Sequence, residues 1–151
     1  MKMKSNRIVF FGNERLATGV STDTPTLNAL LESNFEVVAV VANYTENSSR
    51  KTRELEIKSI TDRKNIPLLL PDKLNQIKND LKSFNATAAV LVAYGKIIPQ
   101  EIIDLFPSGI INIHPSLLPK HRGPTPNESV ILDGSTQTGV SIKKWDKKTD
   151  D

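Results

Sequence analysis

Short unbroken apolar runs, each closed by Gly, Pro or a polar loop, constrain this chain more than any other feature. Ile8-Val9-Phe10-Phe11 closes at Gly12, and Val37-Val38-Ala39-Val40-Val41 runs into a polar loop. Ala88-Ala89-Val90-Leu91-Val92-Ala93 closes at Tyr94-Gly95, and Ile110-Ile111-Asn112-Ile113-His114 closes at Pro115. Runs of this length and apolarity mark strands buried on both faces. The segments between them carry helical spacing. Thr24-Pro25 reads as an N-cap followed by Pro at the first helical position, ahead of Leu27, Leu30 and Leu31. A helix is expected from Glu54 toward Lys64, another from the i, i+3, i+7 set Leu74, Ile77 and Leu81, and a short one from Pro99 to Phe106. Thr125-Pro126-Asn127-Glu128 has capping-box form, before a helix with Val130, Ile131 and Leu132 that stops near Gly134. Pro67-Leu68-Leu69-Leu70-Pro71 reads as a short strand between prolines, and Val140 and Ile142 alternate with Ser141 and Lys143 as a last strand. Strand–helix alternation of this kind predicts an α/β fold, Rossmann-like, with a mostly parallel sheet and helices on both faces.

The 151 residues suit one domain with a sizeable core. A net charge of +3 is too small to imply a polyanionic partner by itself. The absence of cysteine excludes thiol catalysis, disulfides and Cys-type zinc sites, and suits a reducing compartment. The basic start Met1-Lys2-Met3-Lys4-Ser5-Asn6-Arg7 precedes an apolar run too short for a signal peptide, and no run is long enough to span a bilayer. The expected location is the cytoplasm. Gly12 and Gly19 do not form a G-x-G-x-x-G pattern, so a dinucleotide site is not supported.

Chemistry concentrates at the end of the Ile110 run. In a strand, residues i and i+2 point the same way, so Asn112 and His114 project together and Ile111 and Ile113 project oppositely. Pro115 biases His114 toward an extended backbone. In a parallel sheet, that end opens on the crevice where α/β proteins bind ligands. A polar strand end tied to a loop is the plainer alternative. The pair, with a carboxylate from the tail, also suits acyl transfer to an amine. A protonated imidazole and a carboxamide can donate to the oxyanion of a tetrahedral intermediate. His114 or an ordered water can relay the proton that the amine must lose. Ser116 lacks an obvious activating partner, which favours direct transfer over an acyl-enzyme. The Arg50, Lys51 and Arg53 cluster reads equally as a phosphate contact or a solvated loop. Tyr94, Lys96, Ile97 and Ile98 read as ordinary packing after a central strand.

Asn112-x-His114-Pro115-Ser116-Leu117-Leu118-Pro119 followed by Arg122-Gly123 resembles the signature of the folate-dependent formyltransferases. The similarity extends from the Phe11-Gly12 turn through Val92-Ala93-Tyr94-Gly95 to Thr138-Gly139-Val140-Ser141. The resemblance implies a formyltransferase fold over residues 1–151, incomplete at its C-terminus. In the tRNA-directed branch the family continues into a β-barrel domain. It implies 10-formyltetrahydrofolate as co-substrate and no metal, with Asn112, His114 and Asp150 catalytic and Asp146 the runner-up carboxylate. It places folate against Tyr94, Lys96, Ile97 and Ile98, and against Ser116, Leu117, Leu118 and Pro119. The basic loop with Arg50, Lys51 and Arg53 favours methionyl-initiator tRNA as acceptor. Pro115 is also common in branches that formylate amino-sugar nucleotides and glycinamide ribonucleotide. The first loop, Gly12-Asn13-Glu14-Arg15, is longer than is usual in the tRNA branch. The motif thus fixes the donor better than the acceptor. A folate-binding module without turnover and a ligand-free structural domain are the remaining alternatives, and a monomer is expected.

Overall fold

The computed structural model describes residues 5–12, 24–43, 56–123 and 126–145. The strands are β1 (Arg7–Phe11), β2 (Glu36–Val41), β3 (Leu68–Leu69), β4 (Ala88–Leu91), β5 (Ile110–His114) and β6 (Ser141–Trp145). The helices are α1 (Pro25–Leu31), α2 (Glu56–Lys64), α3 (Lys78–Ser83), α4 (Gln100–Ile103) and α5 (Pro126–Leu132). A 3-10 turn, Leu74–Ile77, leads into α3.

The strands form one six-stranded sheet in the order β3-β2-β1-β4-β5-β6. The ladders from β3 to β5 are parallel, and β6 joins β5 antiparallel. The strand order reverses direction between β1 and β4, which places the ligand crevice of such a sheet beyond their C-terminal ends.

Alternate residues of the central strands feed two cores, as the unbroken apolar runs require. On one face, Val9, Phe11, Ala89, Leu91 and Ile110 pack against Leu74, Ile77 and Leu81 and against Ile102 and Phe106. On the other face, Ile8, Phe10, Val37, Val40 and Val90 pack against Leu27 of α1 and Ile57 and Ile60 of α2. Each Val, Leu, Ile or Phe side chain so removed from water contributes about 1.5–3 kcal/mol. The helices therefore cover both faces of the sheet.

The structure departs from the sequence reading in several places. Only Leu68 and Leu69 pair between Pro67 and Pro71. Proline has no N–H to donate, which confines this strand to a short edge. Pro67 takes part as an acceptor, receiving the Val40 amide at 2.9 Å. Thr24 holds the N-cap position of α1 in the left-handed region (φ 45°), with no capping bond from its side chain. Its hydroxyl is buried without a partner among the described residues. The expected capping box at Thr125 lies outside the described residues. On α5, Val130 is buried whereas Ile131 and Leu132 are exposed. Ile111 and Ile142 are 41% and 71% exposed. The β5–β6 register puts Ile142 opposite Ile113, on the same face as Ile111 and away from Asn112. Among the described residues, that face of the last two strands has little cover.

Candidate active site

Three strand ends meet at the crevice. β1 finishes at Phe11-Gly12, where the Gly12 amide donates to Val41 O at 2.9 Å and the Val92 amide donates to Phe11 O at 2.8 Å. β4 leads through Ala93 (φ 50°) and Gly95 (φ 75°), both left-handed. Such a conformation costs an alanine about 1 kcal/mol or more and recurs where a loop is shaped for function. β5 runs on to His114, as the proline after it requires.

Asn112 and His114 are 6% and 7% exposed, on one face with buried Ile110, while Ile111 faces the other way. Strand rise places their Cα atoms roughly 6.6 Å apart. Among the described residues no hydrogen bond engages the Asn112 carboxamide, and it is not among the sealed polar groups. His114 Nε2 lies 3.1 Å from the carbonyl oxygen of His121. Across the antiparallel ladder, Lys143 stands opposite Asn112 and Ser141 opposite His114, so both share this face.

The loop after His114 folds back on itself. Ser116 is fully buried, and its hydroxyl donates to Lys120 O at 3.0 Å. The Ser116 amide donates to His114 O at 2.9 Å, and the Lys120 amide to Leu117 O at 3.1 Å. Arg122 Nε donates to Pro119 O at 3.1 Å. Ser141 ties the loop to β6: its hydroxyl donates to Ser116 O at 2.7 Å and accepts from the Leu118 amide at 3.1 Å. The Leu118–Pro119 peptide is cis. A cleft of about 420 Å³ opens beside this loop, between Leu117, Lys120 and His121 and the turn from Asp133 to Thr138.

The residues expected to meet folate divide by accessibility. Ile97, 82% exposed, and exposed Leu117 and Pro119 present surface, with Leu118 half-buried. Tyr94, Ile98 and Ser116 are buried. Lys96 donates to the carbonyls of Asp72 and Pro71, at 3.1 and 3.5 Å, which holds the loop after β4 to the segment after β3. Asp150 and its runner-up Asp146 lie outside the described residues, as do Arg50, Lys51 and Arg53. Among the described residues, no three or more His, Asp or Glu cluster as metal ligands would. Sequence reasoning assigned no role to His121, Ser141 or Lys143. The sequence marks Ser141 and Lys143 only as alternate positions of a last strand, and their place opposite His114 and Asn112 comes from the β5–β6 pairing. His121 acts here through a main-chain oxygen, which residue identity does not signal.

Tyr94 packs edge-on against Phe11, with ring centroids 5.6 Å apart. Its hydroxyl is buried with no partner among the described residues. Burial pushes the phenol up from 10.0 to about 12. Stability is therefore undiminished below pH 10 and falls as pH rises from 10 toward 12, because the unfolded chain gives up the phenol proton first. Tyr94→Phe keeps the ring contact and removes the unpaired hydroxyl. It is expected to raise stability by about 1 kcal/mol at neutral pH and to weaken the alkaline loss. Urea denaturation at pH 7 and above pH 10 measures both. Lower stability of the variant at neutral pH would show that the hydroxyl has a partner.

Comparison with known proteins agrees with this fold. The chain matches the formyl transferase family over residues 6–151. It is 39% identical over 149 residues to methionyl-tRNA formyltransferase of Malacoplasma penetrans, covering 97% of this chain and 45% of that protein. It is 40% identical over 128 residues to methionyl-tRNA formyltransferase of Buchnera aphidicola subsp. Schizaphis graminum, covering 82% of this chain and 41% of that protein. The chain thus spans a little under half the length of these relatives. Among solved structures it superposes on phosphoribosylglycinamide formyltransferase from Bacillus halodurans with a TM-score of 0.75 at 21% identity, covering 96% of this chain and 74% of that one. It superposes on a formyltetrahydrofolate deformylase from Pseudomonas syringae with a TM-score of 0.69 at 18% identity, covering 96% and 47%. At these identities the two superpositions speak for the fold alone. The family match and the curated relatives together show that the chain belongs to the formyl transferase family.

Proposed function

We propose that this chain carries the formyl-transfer centre of an enzyme that moves a formyl group from 10-formyltetrahydrofolate to the amino group of methionyl-initiator tRNA, in the cytoplasm. The observation that carries the reading is the placement of Asn112 and His114 on one buried face at the C-terminal end of β5, in a chain matched to relatives named for this reaction. The amine attacks the formyl carbon and a C–N bond forms. Negative charge develops on the formyl oxygen, where protonated His114 and the Asn112 amide donate. Collapse breaks the bond to N10 of the folate, and the proton shed by the amine reaches that nitrogen through His114 or a water. Asp150 is the carboxylate assigned beside the imidazole, where its negative charge offsets positive charge on the ring. Ile97, Leu117, Leu118 and Pro119 offer apolar walls for the pterin. Tyr94, Ile98, Ser116 and Lys96 shape the two loops that carry those walls.

Arg50, Lys51 and Arg53 are assigned to the tRNA backbone. Reversing the charge of Arg50 and Arg53 is expected to weaken transfer to tRNA by on the order of 10-fold at low salt, with a shallower salt dependence. Transfer to small acceptors should not change. Equal loss on all acceptors would contradict a phosphate-contact role.

An acceptor panel tests the function as a whole. Formyl-labelled 10-formyltetrahydrofolate is offered with methionyl-initiator tRNA, glycinamide ribonucleotide or an amino-sugar nucleotide, to this chain and to a form extended at its C-terminus. Label on methionyl-tRNA is the expected result. Label on a small acceptor would move the chain to another branch of the family. Folate binding with no labelled product from either form would leave a binding module.

A further inference from the structure

We propose that His121 is a positioning residue whose main-chain carbonyl fixes which nitrogen of His114 works on the substrate. The proposal rests on the catalytic reading of His114 above. A carbonyl oxygen can only accept, so the 3.1 Å contact requires a proton on His114 Nε2. That proton is present in both the neutral and the charged ring. Nδ1 is therefore the atom that gains and loses a proton. As a bare nitrogen it can take the amine's proton. When it carries a proton it donates to the oxyanion, and either role is filled without the ring having to turn over.

The carbonyl is held by a strained backbone with support on either side. His121 sits at φ 56°, a left-handed conformation uncommon for a residue with a Cβ. Immediately before it, Lys120 is bonded through its amide to Leu117 O and through its carbonyl to the Ser116 hydroxyl. Immediately after it, Arg122 is bonded to Pro119 O. The His121 ring is largely buried and lies 3.9 Å from Asp133 Oδ2, which accepts from the Ser135 hydroxyl at 2.7 Å. One residue thus links the turn after α5 to the imidazole at the end of β5. Strain maintained by surroundings in this way is typical of groups that must be preorganised.

The test uses nitrogen-15 and proton spectra of the His114 ring, assigned by comparison with His114→Gln, together with formyl-transfer kinetics. In the wild-type chain, His114 should be a single Nε2–H tautomer with a slowly exchanging ring proton. His121→Asn, which tolerates the left-handed backbone, should keep both the tautomer and most of the rate. His121→Val, β-branched and disfavoured at that φ, should release the ring proton to fast exchange. It should also lower kcat on the order of 100-fold, with KM for the formyl donor little changed. Averaged tautomers in the wild type, or a His121→Val chain with unaltered ring signals and kcat, would overturn the proposal. A locked Nε2–H ring in a chain that transfers formyl to no acceptor would instead overturn the catalytic reading, and with it the purpose assigned to the bond. The two failures are therefore distinguishable.

Discussion

Gly12→Ala is expected to cost about 4 kcal/mol or more of stability, and to lower Tm on the order of 10 °C. A Cβ built on Gly12 would lie 1.7 Å from the carbonyl oxygen of Val92 and 2.7 Å from its carbonyl carbon, at a φ of +133°. Both obstacles are backbone, so no rotamer change relieves them. The clash falls where β1 and β4 leave the sheet, at the reversal of strand order. Relief requires the two strand ends to part. That would break the bond from the Val92 amide to Phe11 O and disturb Phe11, which is fully buried. Gly134→Ala is the control: φ is +68° and no atom lies within 4 Å of the added carbon, so only backbone strain of about 1 kcal/mol applies. Thermal and urea denaturation of the two variants give the comparison. Similar losses would show that the β1–β4 approach is looser than described.

His114→Ala is expected to lower formyl transfer by about 10³-fold or more, combining loss of proton relay with loss of an oxyanion donor. Asn112→Ala removes one uncharged donor, for a loss on the order of 10²–10³-fold in kcat. Neither substitution should weaken donor binding as much as it lowers kcat, because both groups act on charge that develops after binding. The double variant should lose less than the product of the single losses, since the two groups serve one oxygen. His114→Ala also leaves the His121 carbonyl without its described donor, which costs about 1–3 kcal/mol if water cannot enter. Stability must therefore be measured beside activity. Wild-type rates in a folded His114→Ala chain would remove the imidazole from the mechanism.

Legibility differed by the kind of force at work. The central strands were plain in the sequence because burial on both faces demands unbroken apolar residues, and β1, β2, β4 and β5 formed at those runs. The sharing of a face by Asn112 and His114 followed from strand geometry alone, and their burial beside exposed Ile111 bears it out. Leu74, Ile77 and Leu81 are all buried as their spacing required, although the first turn is 3-10. Other features depend on partners distant in sequence. The antiparallel entry of β6 is set by its pairing with β5, which no alternation of Val140 and Ile142 encodes. Thr24 kept its position at the start of α1 but not its capping role, because its left-handed backbone makes no side-chain cap. Lys96 spends its charge on the carbonyls of residues 71 and 72, a contact set by tertiary packing. The bond from His114 to His121 joins a ring to a main-chain oxygen, so residue identity gives no warning of it.

The proposed chemistry requires the formyl group to be held between Asn112 and His114. Two-dimensional spectra of the chain, titrated with a non-reactive formyl-folate analogue, test it most directly. Saturable shifts of the Asn112 side-chain amide and the His114 ring are expected at one common dissociation constant, with Ile97 and Leu117 methyl groups moving in step. Saturable binding that moves other residues while the Asn112 amide and the His114 ring stay still would contradict it.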